Sequence, residues 1–164
     1  LFEERVVEGL HRVVEATLPA DRPLGTREDA REAFRDFIHG LLAHFESNRS
    51  VLRLFMTEGP RAFHDPDRMA EGLQLFATFT AAVAGAVERA VDSGALRALP
   101  ALPVAHLLIG NVRGLLMAHA AHDCAPAGLP TLPPLDSATT AEFITTVLFD
   151  GLLTPAVDAP SPDA

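Results

Sequence analysis

Residues 106–122 read HLLIGNVRGLLMAHAAH, and this stretch decides the fold. It has no strand-like alternation, and its Leu, Ala and Met content favours helix. A surface helix of a soluble domain carries one apolar stripe and one polar face. Here apolar residues run all round, broken only by Asn111, Arg113 and three histidines, with Gly110 and Gly114 four apart. At about 100° per residue, Val104, Leu108, Val112 and Leu115 fall on one side, with Asn111, His119 and His122 among or beside them. Roughly opposite lie Leu107, Gly110, Gly114, Met117, Ala118 and Ala121, a smooth stripe that lets another helix pack backbone to backbone. One side is expected to face the chain's own core and the other a second body.

Working outward, the rest of the chain reads as helices with start and stop signals and no internal repeat. Leu1–Leu18 places Phe2, Val6, Leu10, Val13 and Val14 on one face, and the loop Pro19–Gly25 ends it. Thr26 with Asp29 resembles a capping box, and Ala30, Phe34, Phe37, Ile38, Leu41, Leu42 and Phe45 keep helical period to about Asn48. A short helix over Ser50–Glu58 stops at Gly59-Pro60. Asp65-Pro66 opens a long helix that runs to Ser93, stopped by Gly94, with Leu73, Phe76, Phe79, Thr80, Val83, Val87 and Val91 on its apolar side. The quoted segment belongs to a helix over Pro103–Asp123, and a final helix covers Ala138–Leu153. In the final helix Ile144, Val147 and Leu148 share a face while Phe143 and Phe149 point elsewhere. Two successive helices apolar on more than one face suggest a twofold dimer built as a four-helix bundle. The expected fold is all-α, an antiparallel bundle of five to six helices, with one domain over 1–153 and a disordered Pro/Ala/Asp-rich tail over 154–164.

Composition narrows the function. The 164 residues are 48% hydrophobic, enough for one sizeable core. No apolar run reaches the roughly 18–20 residues that cross a bilayer, and no signal peptide is visible. The single cysteine, Cys124, excludes an internal disulfide framework and favours a cytoplasmic setting. Thirteen basic residues, all Arg, face 22 acids for a net charge of −9, which repels a phosphate backbone. The chain opens on Leu1 rather than Met, so a longer natural protein is expected.

LFEERVVEGL at the start, ESNRSVLRLFMTEGP in the short helix, ERAVDSGALR closing the long one, and IGNVRGLL and VLFDGLL in the last two helices form a recognisable order. The chain resembles the C-terminal regulatory domain of the TetR family of bacterial transcriptional regulators over nearly all of Leu1–Leu153. The family's helix-turn-helix ends in a lysine, an acidic residue and Leu-Phe, and this sequence begins as if cut at that junction. The resemblance implies a ligand-gated homodimer, a repressor that binds DNA only through an N-terminal module outside this chain. A small molecule enters the helical domain, the first helix tilts, and the attached modules lose half-sites spaced by about 34 Å.

Candidate residues follow from the faces. Phe34, Phe37, Phe45, Phe55, Phe76 and Phe79 form a core-facing aromatic set. Of these Phe37, Phe55, Phe76 and Phe79, with Thr80, Asn111, Leu115 and His119, are the expected ligand-binding residues of a mostly apolar pocket. The expected dimer interface is Leu107, Gly110, Gly114, Met117, Ala121, Phe143 and Phe149. No catalytic residue, metal site or cofactor is expected. The acids of Glu8-x-x-His11 and Asp36-x-x-His39 point away from their helices' apolar faces, unlike the ligands of di-iron bundles. His119-x-x-His122-Asp123 lacks a third ligand from elsewhere, and there is no phosphate loop or nucleophile elbow. The rival readings are a dimeric protein-interaction scaffold without a pocket and, behind it, an enzyme using the His-rich end of 106–122.

Overall fold

The computed structural model describes residues 2–48, 66–122 and 136–150. Within them lie five α-helices and no strand: α1 over Phe2–Thr17, α2 over Arg27–Ser47, α3 over Pro66–Asp92, α4 over Ala101–His122 and α5 over Ser137–Thr145. A π-helical turn, Thr146–Asp150, continues α5. The expected short helix over 50–58, with Phe55, lies outside the described residues, as does the tail over 154–164.

The helices pack antiparallel around α2, which touches α1, α4 and α5, while α3 rests on α4 and α1. The reason is the apolar face of α2. Phe34, Phe37, Ile38 and Leu42 are fully buried, and Ala30 and Ala33 between them let the neighbours close in. The start of α2 is as the sequence signals. Thr26 Oγ1 accepts from the Asp29 amide at 3.1 Å, and the Asp29 carboxylate accepts from the Thr26 amide at 3.1 Å. This satisfies two amide donors that a helix start otherwise leaves unpaired. Gly94 closes α3 at φ 79°, a left-handed conformation that glycine adopts without strain.

Long-range polar contacts hold the frame. The Arg89 guanidinium donates to the Pro19 carbonyl at 3.1 Å, and Ser93 Oγ donates to that of Leu24 at 2.6 Å. Both clamp the α1–α2 loop onto the end of α3. In the first two turns of α2, just after that loop, Arg31 pairs with Glu142 and, at 3.4 Å, with Asp150. Arg27 donates to the Phe149 carbonyl at 3.0 Å and pairs with Asp150 at 3.1 Å, so two cations of α2 converge on this turn.

Four expectations need correction. The final α-helix stops at Thr145 and continues as a π-turn, and it starts on the Asp136 cap, whose carboxylate accepts from the Thr139 amide at 3.0 Å. α4 begins at Ala101, before Pro103. A proline is tolerated there because first-turn amides have no intrahelical acceptor. Leu73 and Phe76, expected on the apolar side of α3, are 58% and 40% exposed. Finally, Ala101–His119 is long and apolar enough to cross a bilayer by length and composition, although a core helix passes the same test. Only 28% of that stretch is buried.

Candidate functional site

Two concavities flank α4, one on each side. The inner one is a cavity of about 100 Å³ between four helices. Leu10 of α1, Leu41 and Phe45 of α2, Phe76 and Phe79 of α3, and Ile109, Val112, Leu116 and Met117 of α4 form its wall, with Arg113 at the edge. Only apolar atoms are exposed inside, so Arg113 contributes its methylene stem and keeps its charged head out. The rings of Phe37 and Phe79 lie 6.1 Å apart and brace one wall from behind.

The outer one is a broad, open groove of about 370 Å³ along α4, formed by His106, Leu107, Gly110, Asn111, Gly114 and Leu115. Leu107 is 59% exposed. A Cβ added at Gly110 or Gly114 meets no described atom within 4 Å. His106 stands beside the half-exposed Phe76 ring, with centroids 5.9 Å apart, so groove and cavity are separated by little more than the thickness of α4.

The expected ligand residues divide between these places. Phe76 and Phe79 line the inner cavity. Phe37 is buried behind it. Thr80 is buried too, but its hydroxyl donates to the Phe76 carbonyl at 2.7 Å and does not reach the cavity. Asn111 is not an inward group: it is exposed, its amide donates to the Leu107 carbonyl at 2.8 Å, and it lines the outer groove. The helical wheel gives the reason, since Asn111 lies about 160° from the cavity-facing Ile109. Leu115, about 120° from Ile109, likewise lines the outer groove and not the cavity. His119 is half-buried with Nδ1 2.8 Å from the Leu115 carbonyl, and it does not line the cavity.

The expected interface residues divide as well. Leu107, Gly110 and Gly114 lie along the groove, and Phe143 is 60% exposed on α5. Met117 instead lines the inner cavity, only about 80° from Ile109. Phe149, in the π-turn, faces inward and stacks on Phe34 of α2, centroids 5.6 Å apart. The side chain of Ala121 lies outside what is described. Leu10, Leu41, Ile109, Val112 and Leu116 were missed as cavity residues. Each sits on an apolar helix face, and nothing local separates a wall position from plain core.

Electrostatics gathers at two points away from the cavity. His44 of α2 packs over Gly9 of α1, where an added Cβ would lie 2.3 Å from its ring. Its Nε2 is buried with no hydrogen-bond partner among the described residues. Burial, aided by the nearby Arg12 charge, pushes its pKa below the usual histidine value. At the α2–α5 clasp, hydrogen bonding to Arg31 holds the Glu142 carboxyl below its usual range. Glu8 and Asp36 pair with Arg12 and Arg22, at 3.9 and 2.8 Å. Among the described residues no group of three His, Cys, Asp or Glu side chains is placed to hold a metal. No protein-family model, curated protein or solved structure matches the chain.

Proposed function

We propose that this chain is the effector-sensing, dimerising domain of a TetR-like transcriptional regulator, a cytoplasmic repressor released from DNA by a hydrophobic small molecule. The observation that carries the reading is the glycine pair on α4. Each helical glycine costs about 1 kcal/mol relative to alanine. Gly110 and Gly114 receive no compensating close contact from the described residues of their own chain. A second copy of α4 seated on the groove would supply that contact, because small residues four apart allow two backbones to approach. Leu107 would then be buried, and Phe143 of α5 would extend the same four-helix interface.

The inner cavity supplies the switch in this proposal. Leu10 belongs to α1, the helix that leads to the DNA-binding module expected before Leu1, so an occupant displaces the element that sets module spacing. The occupant must bind the released conformation more tightly than the DNA-bound one. Sedimentation velocity on the chain, with a thermal-shift screen of hydrophobic compounds, tests the reading. A dimer that dissociates on Gly114→Leu and is stabilised by apolar compounds is the expected result. A monomer, or a dimer indifferent to Gly114→Leu, overturns it. A dimer with no ligand response leaves the interaction-scaffold reading in its place.

A further inference from the structure

Among the described residues, the wall of the inner cavity offers an occupant no hydrogen bond. The wall exposes only apolar atoms, the Thr80 hydroxyl is engaged at 2.7 Å by the Phe76 carbonyl, and Arg113 touches the cavity through its stem. Of the described residues, His44 and Arg89 hold the buried side-chain polar atoms left without a partner, and neither lines the cavity. A water held against this wall would need two to four polar partners and finds none among the described residues, so the wall favours an apolar occupant. The cavity volume of about 100 Å³ is of the order of the roughly 150 Å³ Leu/Ile/Phe-lined cavity that takes benzene in another protein. Phe45, Phe76 and Phe79 present three rings to it, suited to edge or offset contact with a fourth. The chain's net charge of −9 adds a further cost for an anion.

From these features we propose that the effector is an uncharged monocyclic arene, or a ligand that inserts such a ring, with no hydrogen-bonding group inside the cavity. The proposal rests on the regulator reading above and names the ligand class for its site.

The test uses the whole chain with toluene, phenol and benzoate, read by thermal shift and titration calorimetry. Toluene at about ten times its Kd raises Tm by about 3–6 °C. Phenol binds at least about tenfold more weakly, because its hydroxyl is buried without a partner, and benzoate gives no shift. Leu10→Trp, at a partly buried position on α1, fills the space and abolishes the toluene response. Met117→Phe does the same from α4 and covers the case in which the first variant fails to fold. Phenol or benzoate binding as tightly as toluene overturns the proposal, as does a toluene shift unchanged in both variants. If a polar compound stabilises the dimer while toluene is inert, the ligand class is wrong and the regulator reading stands. If toluene stabilises a chain that is monomeric, the ligand class stands and the regulator reading falls.

Discussion

His44 and Gly9 form a single unit across the α1–α2 contact, because the imidazole occupies the space that a side chain at residue 9 would need. Gly9→Ala gains about 1 kcal/mol in helix propensity but meets the ring at 2.3 Å, and overpacking of this kind costs about 1–3 kcal/mol. The expected net effect is a destabilisation of about 1 kcal/mol, which reverses sign in a His44→Ala background; urea denaturation of the four-member cycle measures it. The same histidine sets a pH dependence. Its folded pKa is depressed from 6.5, so below about pH 6.5 the unfolded chain binds more protons than the folded one. The stability His44 contributes is therefore complete above that pH and is lost as pH falls toward the folded pKa. His44→Gln should flatten the change in urea midpoint between pH 7.5 and 5.5. Arg12, on the facing helix, adds to the depression and should shift this window when neutralised. Glu142 and Asp136 have depressed pKa values in the acid range, so their contributions fade only below their ordinary values of 4.5 and 3.8.

At the scale of the helix, the start of α2 is local chemistry and the facing of α4 is not. Thr26→Ala removes the side-chain acceptor of the capping box and should cost about 1 kcal/mol, with Thr26→Ser close to neutral; thermal unfolding at equal pH distinguishes them. That start was legible because capping needs only residues three apart. Gly94 was legible for the same kind of reason, since a stop requires one residue at positive φ. The faces of α4 were harder to read. A helix apolar all round offers no contrast between sides, so Asn111 and Leu115 could be assigned inward and Met117 outward without contradiction from the sequence. Burial of Ala105, Leu108, Ile109, Val112 and Leu116 fixes the rotation and sends Asn111 to the groove. The end of α5 was equally illegible, because the shift into a π-turn accompanies ring stacking of Phe149 on Phe34 and the hydrogen bond from Arg27, both distant in sequence.

For the whole molecule, α5 is held to α2 by the Phe34–Phe149 stack and by the arginine clasp on Glu142 and Asp150. Arg31→Leu removes the central cation of that clasp. It should raise amide exchange over 137–150 while leaving the buried middle of α2 protected, and hydrogen-exchange mass spectrometry reads both regions at once. The glycine pair on α4 yields a prediction whose sign reports assembly. In a free monomer Gly110→Ala and Gly114→Ala have open space and should each stabilise by up to about 1 kcal/mol. In a dimer closed over the groove the added methyl groups hold the helices apart, so the double variant should raise the dimer dissociation constant. Unfolding and sedimentation measured over a range of chain concentrations separate the two effects.

Periodicity and punctuation, which depend on neighbours three and four residues apart, determined the all-α class, the extents of α1, α2 and α3 to within a residue or so, and the apolar face of α2. Rotation of α4, the inward turn of Phe149 and the grouping of Leu10, Leu41 and Ile109 around one cavity were decided only by the tertiary structure. Each of these depends on which helix lies opposite, and an apolar residue carries the same local signal whether another side chain, a cavity or open space stands beside it.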